Sequence, residues 1–146
     1  MLARPARRQL FIREIVKLVK AESYDGIDLD FENMRAEDRD RFTNFVGDLK
    51  RRLTPVGALL TLDVHPKTSE PGAWQGPISH DYAALARRAD QLRVMAYDEH
   101  YAGGRDLQLS TAALHQVTLC LARDSADQHA AVLQHEDAVT VLAIGR

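Results

Sequence analysis

Residues 24–32 read Tyr-Asp-Gly-Ile-Asp-Leu-Asp-Phe-Glu and place three carboxylates at every second position of an otherwise apolar segment. Because successive side chains of a strand point to opposite faces, Asp28, Asp30 and Glu32 share one face. The apolar residues between them share the other face, which is expected to pack against a core. Burying several carboxylates together is costly and pushes their pKa values apart, so that one can act as an acid and another as a base. The segment therefore predicts a buried strand whose acidic face carries chemistry.

The length and composition are those of one globular domain. The chain has 146 residues, 45% of them hydrophobic and 27% charged, which is enough for a core of its own. It is shorter than the roughly 250 residues of a complete eightfold β/α barrel. The formal net charge is −2, and no acidic or basic excess indicates a nucleic-acid partner. The single cysteine, Cys120, cannot form a disulfide within the chain.

The amino-terminal residues carry no recognisable targeting segment. The first twenty residues alternate basic and apolar positions without a continuous apolar run, so they predict neither a signal peptide nor a membrane span. We therefore expect the chain as written to be cytoplasmic and to have no membrane partner.

Helical and strand patterns alternate along the first two thirds of the chain. Apolar residues recur at three- and four-residue spacings in residues 8–21 and 36–53, which predicts amphipathic helices on either side of the acidic strand. The segments that follow are predicted as strand, loop, short helix and strand, at residues 59–64, 65–79, 82–88 and 92–97. This order is typical of repeated β/α units, so the predicted fold class is α/β with a parallel sheet.

Three polar residues lie where a predicted strand gives way to a loop: Glu32, His65 and Asp98. Functional groups of parallel α/β folds gather at the carboxyl ends of the strands, so these positions are candidates for a shared site.

The last part of the chain carries no motif. After two glycines at residues 103–104, residues 107–132 have a helical pattern and residues 138–144 a short strand pattern. We therefore divide the chain into an α/β unit at residues 1–104 and an unassigned tail at residues 105–146.

Two motifs resemble those of glycoside hydrolase family 18, the chitinase-like family. Residues 25–32, DGIDLDFE, resemble the family's DGxDxDxE signature, and residues 95–98, MAYD, resemble its MxYD element. Their order, with one predicted strand between them, is more specific than either motif alone. Residues 97–100 and the Pro-Lys-Thr turn at residues 66–68 are most similar to the bacterial spore-germination branch, whose members act on cortex peptidoglycan. The resemblance covers about residues 8–103 and implies the middle β/α units of a partial TIM barrel.

The resemblance also implies an activity, the hydrolysis of β-1,4 bonds next to N-acetylated amino sugars by substrate-assisted retaining catalysis. Glu32 would be the general acid that protonates the leaving glycosidic oxygen. Asp30 would orient the substrate's 2-acetamido group, whose carbonyl oxygen takes the place of an enzyme nucleophile. Asp28 would hold the charge state of Asp30. Four further residues are candidates for substrate binding: Tyr97, Asp98, Met95 and Trp74.

The implied partner is an N-acetylglucosamine-containing polysaccharide, either peptidoglycan or chitin, and no metal or cofactor is implied. Relatives of full length are expected to be exported or associated with spores. Because a partial barrel exposes strand edges that a closed barrel hides, self-association is a further expectation.

The sequence leaves other interpretations open. The acidic strand could be a solvent-facing edge strand with hydrated carboxylates, or the DxD metal site of a nucleotide-sugar transferase. A calcium loop is excluded, because Asn33 and Arg39 occupy the sixth and twelfth positions from Asp28, where glycine and glutamate are needed. Trp74 could stack on a sugar or simply fix its own loop. The chain could also be a truncated, non-catalytic carbohydrate-binding fragment of the family.

Overall fold

The computed structural model of the protein describes residues 1–95 and 139–144, and for residues 139–143 it describes the backbone alone. The helices are α1 (Pro5–Glu22), α2 (Arg39–Leu53), α3 (Gln75–Ser79) and α4 (Tyr82–Ala86). Short 3₁₀ turns at Ala36–Asp38 and Thr54–Val56 flank α2. The strands are β1 (Gly26–Phe31), β2 (Leu59–Val64), β3 (Gln91–Val94) and β4 (Val139–Ile144).

Both predicted amphipathic helices are confirmed, with differences at their amino-terminal ends. Helix α1 begins at Pro5 rather than at residue 8, because proline suits the first helical turn, where N–H groups have no intrahelical acceptor. It ends where Ser23 adopts a left-handed conformation with φ 57°. Helix α2 begins at Arg39 rather than at residue 36, because Ala36–Asp38 forms a separate 3₁₀ turn.

The four strands form one sheet in the order β3-β2-β1-β4. Strand β1 is parallel to β2, and β2 is parallel to β3, as the repeated β/α pattern predicts. Strand β4 confirms the short strand expected near residues 138–144, but it runs antiparallel to β1, unlike the uniformly parallel strands of a TIM barrel. It covers the edge of β1 that β2 leaves free. Strand β3 is the other terminal strand of the described sheet, and self-association stays a prediction.

The two faces of the sheet differ sharply in polarity. The face turned toward α1 and α2 is apolar, and its fully buried side chains include Ile27, Leu29, Leu60 and Leu62. Phe45 of α2 is also fully buried in this core. The core therefore lies between the helices and one face of the sheet, which leaves the other face to the polar residues of the strands.

The loop predicted at residues 65–79 is wrong in part, since it contains the short helix α3. Pro77 is the third residue of α3, where its missing N–H removes no intrahelical hydrogen bond. The short helix predicted at residues 82–88 is confirmed as α4. The Asp81 side chain accepts a hydrogen bond from the Ala84 N–H at 2.9 Å and so caps the start of α4.

Several predictions fall on residues 96–138 and lie outside the described residues. These are the helix at residues 107–132, the domain boundary at residue 104 and residues 96–97 of the predicted third strand; β3 itself ends at Val94, and Met95 is not in a strand. Within the ranges that the structure describes, no helix is long and apolar enough to cross a membrane.

Candidate active site on the acidic face of the sheet

The predicted acidic face of β1 is confirmed by the strand register. Asp28 lies beside Thr61 of β2, and Asp30 lies beside Asp63. Asp63 in turn lies beside Arg93 of β3. Since laterally paired residues of a parallel sheet share a face, these polar residues form one surface opposite the apolar core. The alternation from Asp28 to Asp30 continues to Glu32, which follows the carboxyl end of β1 and is exposed.

The first residues of β1 and β2 are in close contact at the amino-terminal end of the polar surface. A Cβ on Gly26 would come within 2.7 Å of the carbonyl oxygen of Leu59, so the two strands can approach here only because residue 26 is glycine.

Asp28 is a buried residue of the polar surface and is hydrogen-bonded to side chains of two other strands. Its side chain is 1% exposed. The Thr61 hydroxyl donates a hydrogen bond to Asp28 Oδ1. The Arg93 guanidinium donates to Asp28 Oδ2 at 2.9 Å, which makes an ion pair between β3 and β1. Both Asp28 oxygens therefore accept a hydrogen bond from the protein, and these bonds connect the side chain to β2 and β3.

Two neighbouring carboxyl groups hold their protons more tightly than usual. Burial raises the pKa of Asp30, and the charges of Glu32 and Asp28 raise it further. Burial, together with the charges of Asp28 and Asp30, raises the pKa of Asp63 to about 7. The cluster therefore contains carboxyl groups that keep their protons to higher pH than an ordinary aspartate does, a property suited to an acid–base site.

Asp30 also has an unused acceptor. Its Oδ1 atom is buried, and among the described residues no donor lies within hydrogen-bonding distance of it. An unmet buried oxygen of this kind is unfavourable by about 1–3 kcal/mol, and a ligand N–H could satisfy it.

The loop after β2 places an aromatic group next to Glu32. His65 Nε2 donates to the backbone carbonyl oxygen of Glu32 at 3.0 Å. The His65 ring contacts Trp74, with ring centroids 4.8 Å apart, and Trp74 is 54% exposed. Behind it, the buried ring of His80 lies 5.4 Å from His65 and accepts the His65 backbone N–H at Nδ1, 3.1 Å away. Trp74 is therefore an exposed indole that is connected to the Glu32 backbone through His65.

Hydrogen bonds and ion pairs of Arg39 connect the loop that carries Trp74 to the start of α2. Arg39, at the start of α2, donates to the Ile78 carbonyl at 2.7 Å. Its guanidinium also pairs with Glu70 at 3.0 Å and with Asp81 at 3.2 Å. These contacts tie the loop that carries Trp74 to the helix that follows the acidic strand, so the two sides of the site are held together.

The structure brings together part of the predicted site. Asp28 and Asp30 lie on one face of β1, as expected, and Glu32 follows in the same alternation. Trp74 contacts His65, which is hydrogen-bonded to the Glu32 backbone. Met95 is 6% exposed, and its N–H donates to the Val64 carbonyl at 3.0 Å. Its role as a substrate contact stays a prediction. Two other predicted substrate-binding residues lie outside the described residues: Tyr97 and Asp98.

Sequence reasoning missed the polar residues that β2 and β3 contribute. Thr61 and Asp63 alternate with buried apolar residues of β2, and Arg93 stands between Leu92 and Val94 of β3. This period-two pattern was the available signal, because it assigns all three to the face opposite the core.

The alternative metal site of a nucleotide-sugar transferase is disfavoured by the contacts of Asp28. Both of its oxygens are engaged by Thr61 and Arg93, and a guanidinium stands where a cation would have to bind. Within the part of the chain that the structure describes, no group of three or more His, Cys, Asp or Glu side chains could hold a metal ion. The hydrated edge strand is also excluded, since Asp28 is buried and β1 is an inner strand.

The chain matches known proteins over most of its length. Residues 1–142 match the family model described as glycosyl hydrolases family 18. The "Putative sporulation-specific glycosylase YdhD" of Bacillus subtilis is 37% identical over 103 residues, which cover 70% of this chain and 24% of that protein. The "Cortical fragment-lytic enzyme" of Bacillus anthracis is 32% identical over 100 residues, which cover 68% of this chain and 23% of that protein. The chain thus spans about a quarter of the length of these curated relatives.

Solved structures agree with the sequence matches. The crystal structure of YdhD has a TM-score of 0.70 at 26% identity and covers 99% of this chain and 51% of that chain. The spore cortex-lytic enzyme SleL of Bacillus cereus has a TM-score of 0.70 at 27% identity and covers 82% of this chain and 29% of that chain. The family model accounts for nearly the whole chain, and the resemblance to glycoside hydrolase family 18 is thereby confirmed. The chain therefore belongs to glycosyl hydrolase family 18.

Proposed function

We propose that this chain carries the acidic half of a glycoside hydrolase site that cleaves β-1,4 bonds next to N-acetylated amino sugars. The observation that carries the proposal is the increase in exposure along one face of β1, from the buried Asp28 through the half-buried Asp30 to the exposed Glu32. Glu32 is the exposed member of the three and Asp30 is half-buried beside it, so Glu32 takes the role of general acid.

The contacts of Asp30 support a substrate-assisted reaction. Its unpartnered Oδ1 is a suitable acceptor for the N–H of a 2-acetamido group. Holding that N–H would turn the acetamido carbonyl oxygen toward the anomeric carbon. Burial and the charges of Glu32 and Asp28 raise the pKa of Asp30, so this carboxyl group takes up a proton more readily than an ordinary aspartate does.

The chemical steps then balance without an enzyme nucleophile. The acetamido carbonyl oxygen bonds to the anomeric carbon as the glycosidic C–O bond breaks, and Glu32 gives its proton to the leaving oxygen. In the second step, water attacks the anomeric carbon, its proton returns to Glu32 and the bond to the acetamido oxygen breaks. Two inversions at one carbon leave the configuration retained.

Trp74 supports the choice of a sugar as substrate. Its exposed indole face beside His65 is suited to an apolar sugar surface. On its other side, a groove of about 270 Å³ continues along the loop after β2, lined by residues that include Pro66, Thr68 and Pro77. Curated relatives are named cortical fragment-lytic enzyme and endochitinase, so the proposed substrate class is an N-acetylglucosamine polysaccharide, either peptidoglycan or chitin.

The experiment that tests the proposal is hydrolysis of a fluorogenic N-acetylglucosamine oligomer by the purified chain. Glu32→Gln keeps the side-chain shape and removes the ionisable proton, so it should abolish turnover while oligomer binding persists. Glu37→Gln is the matched control, because Glu37 is an exposed residue that contacts Arg35 at 4.0 Å on the surface. Hydrolysis that survives Glu32→Gln would refute the assignment of the acid.

A second candidate function is a non-catalytic carbohydrate-binding fragment. The observation that favours it is the antiparallel β4 at the edge of β1, where a TIM barrel has a parallel strand. Oligomer binding by the wild-type chain without any turnover would select this function over the hydrolase.

A further inference from the structure

His65, the first residue after β2, forms a hydrogen bond to the main chain of Glu32. Its Nε2 atom lies 3.0 Å from the Glu32 carbonyl oxygen. A carbonyl oxygen can only accept a hydrogen bond, so the proton of this bond is on Nε2 of His65. The histidine side chain therefore donates to the peptide group that follows the proposed general acid.

The Glu32 carbonyl lies beyond the residue pairing that fixes the rest of β1. The register between β1 and β2 ends at Asp30, opposite Asp63, and the register between β1 and β4 ends at Phe31. Glu32 itself follows the last residue of the strand. The hydrogen bond from His65 therefore restrains a peptide group at the point where the pairing of the described sheet has ended.

His65 is itself held at both of its main-chain groups. The fully buried ring of His80 accepts the His65 N–H at Nδ1, 3.1 Å away. The Tyr82 hydroxyl donates to the His65 carbonyl oxygen. The His65 ring also contacts Trp74, and its centroid lies 5.4 Å from that of the His80 ring. These contacts restrict the orientation of the group that donates to Glu32.

We propose that His65 is a positioning residue of the hydrolase site, which orients Glu32 by holding the peptide group that follows it. The proposal rests on the proposed hydrolase function and deepens it. His65 acts through the main chain of Glu32 and is assigned no contact with the reacting atoms. Because a misplacement of about 1 Å can lower a rate about 100-fold, loss of this hydrogen bond should be visible in kcat.

The kinetic test compares two substitutions of His65 in the hydrolysis of a fluorogenic N-acetylglucosamine oligomer. In His65→Gln the side-chain amide can place an N–H near the position of Nε2, so kcat should stay within about threefold of the wild type. Phenylalanine keeps a planar ring beside Trp74 but has no donor. His65→Phe should therefore lower kcat about tenfold or more and change KM by less than about twofold. His65 is half-buried at the end of β2, so both variants should fold.

Thr54→Val is the matched control, because it also removes a side-chain hydrogen bond to a main-chain carbonyl. The Thr54 hydroxyl donates to the Lys50 carbonyl at 2.9 Å, at the exposed end of α2. Its loss should leave kcat unchanged. A wild-type kcat in His65→Phe overturns the proposal, and so does a fall in His65→Gln as large as that in His65→Phe.

NMR separates this proposal from the hydrolase proposal, because it needs no turnover. Nitrogen-15 spectra of the wild-type chain should show a proton on Nε2 of His65. The carbon-13 resonance of the Glu32 carbonyl should move in His65→Phe and return toward its wild-type position in His65→Gln. If the wild-type chain shows these signals without turnover, the hydrolase proposal fails and the orientation of Glu32 by His65 is retained. An Nε2 atom without a proton, or a Glu32 resonance that His65→Phe leaves in place, overturns the proposal.

Discussion

Replacing Gly76 by alanine tests whether Trp74 is part of a sugar site or only a loop residue. A Cβ at position 76 would lie 2.5 Å from two atoms of the Trp74 indole and 2.6 Å from Cδ2 of His65. Since carbon atoms in contact lie about 3.5–4.0 Å apart, the indole must retreat by roughly 1 Å or swing away from His65. Trp74 is already 54% exposed, so it can move into solvent without disturbing the core.

The substitution should change the sugar affinity and the free energy of unfolding for different reasons, and each change can be estimated separately. An indole freed from His65 has to be ordered again when sugar binds, which is unfavourable by about 0.5–1.5 kcal/mol and weakens the affinity roughly twofold to tenfold. Separating the indole from the His65 ring removes an aromatic interaction that stabilises the fold by about 0.5–1.5 kcal/mol, and the better helix propensity of alanine recovers about 0.5–1 kcal/mol in α3. The net change in the free energy of unfolding should therefore stay within about 1 kcal/mol.

The assay uses the intrinsic fluorescence of Trp74, which is the only tryptophan of the chain. Emission of Gly76→Ala should shift to longer wavelength, and titration with an N-acetylglucosamine tetramer should give the weaker affinity. The control is Gly57→Ala, at the opposite end of β2, where a Cβ meets nothing within 4 Å but the backbone has φ 72°. It should lower the free energy of unfolding by about 1–2 kcal/mol and keep the wild-type affinity. Wild-type affinity in Gly76→Ala, despite a shifted emission, would refute a sugar-binding role for Trp74.

Two further predictions concern stability. Burial first, and then the charge of His65, lowers the pKa of His80 to about 3, so the unfolded chain takes up its proton before the folded chain and stability should fall as pH drops from about 6.5 to about 3. His80→Asn, which keeps an acceptor for the His65 N–H, should flatten this slope in urea unfolding measured between pH 4 and pH 7; an unchanged slope would contradict the assignment. Lys67 is 4% exposed, pairs with Glu70 at 2.7 Å and lies 4.3 Å from the centroid of the Tyr82 ring, so Lys67→Met should destabilise the fold by about 2 kcal/mol in the same assay. A stability equal to the wild type would show that these interactions contribute nothing beyond what solvent provides.

The sequence predicted the short strands with one buried face best, because buried and polar residues alternate along them. Strand β2 has the predicted bounds, Leu59–Val64, and β1 presents its carboxylates on the predicted face. These features depend on local alternation, which one sequence displays directly.

The remaining features depend on contacts between distant segments. The pairing of Arg93 with Asp28 crosses from β3 to β1, and it follows from a strand register that no local pattern specifies. The antiparallel direction of β4 likewise belongs to its pairing with the distant β1, which no local pattern specifies. Helix α3 was missed because Gly76 and Pro77 are usual loop residues, although both fit the first turn of a short helix.

Thermal unfolding of Glu32→Gln, followed by circular dichroism, tests the central claim that this acidic face recognises N-acetylated sugars. The variant cannot turn over the ligand, so the unfolding midpoint reports binding alone. We expect an N-acetylglucosamine tetramer at a hundredfold excess over Kd to stabilise the fold by roughly 2.7 kcal/mol and raise the midpoint by several degrees. A glucose tetramer, which lacks the acetamido group that Asp30 is proposed to hold, should leave the midpoint unchanged. Equal shifts with both tetramers, or no shift with either, would contradict the account.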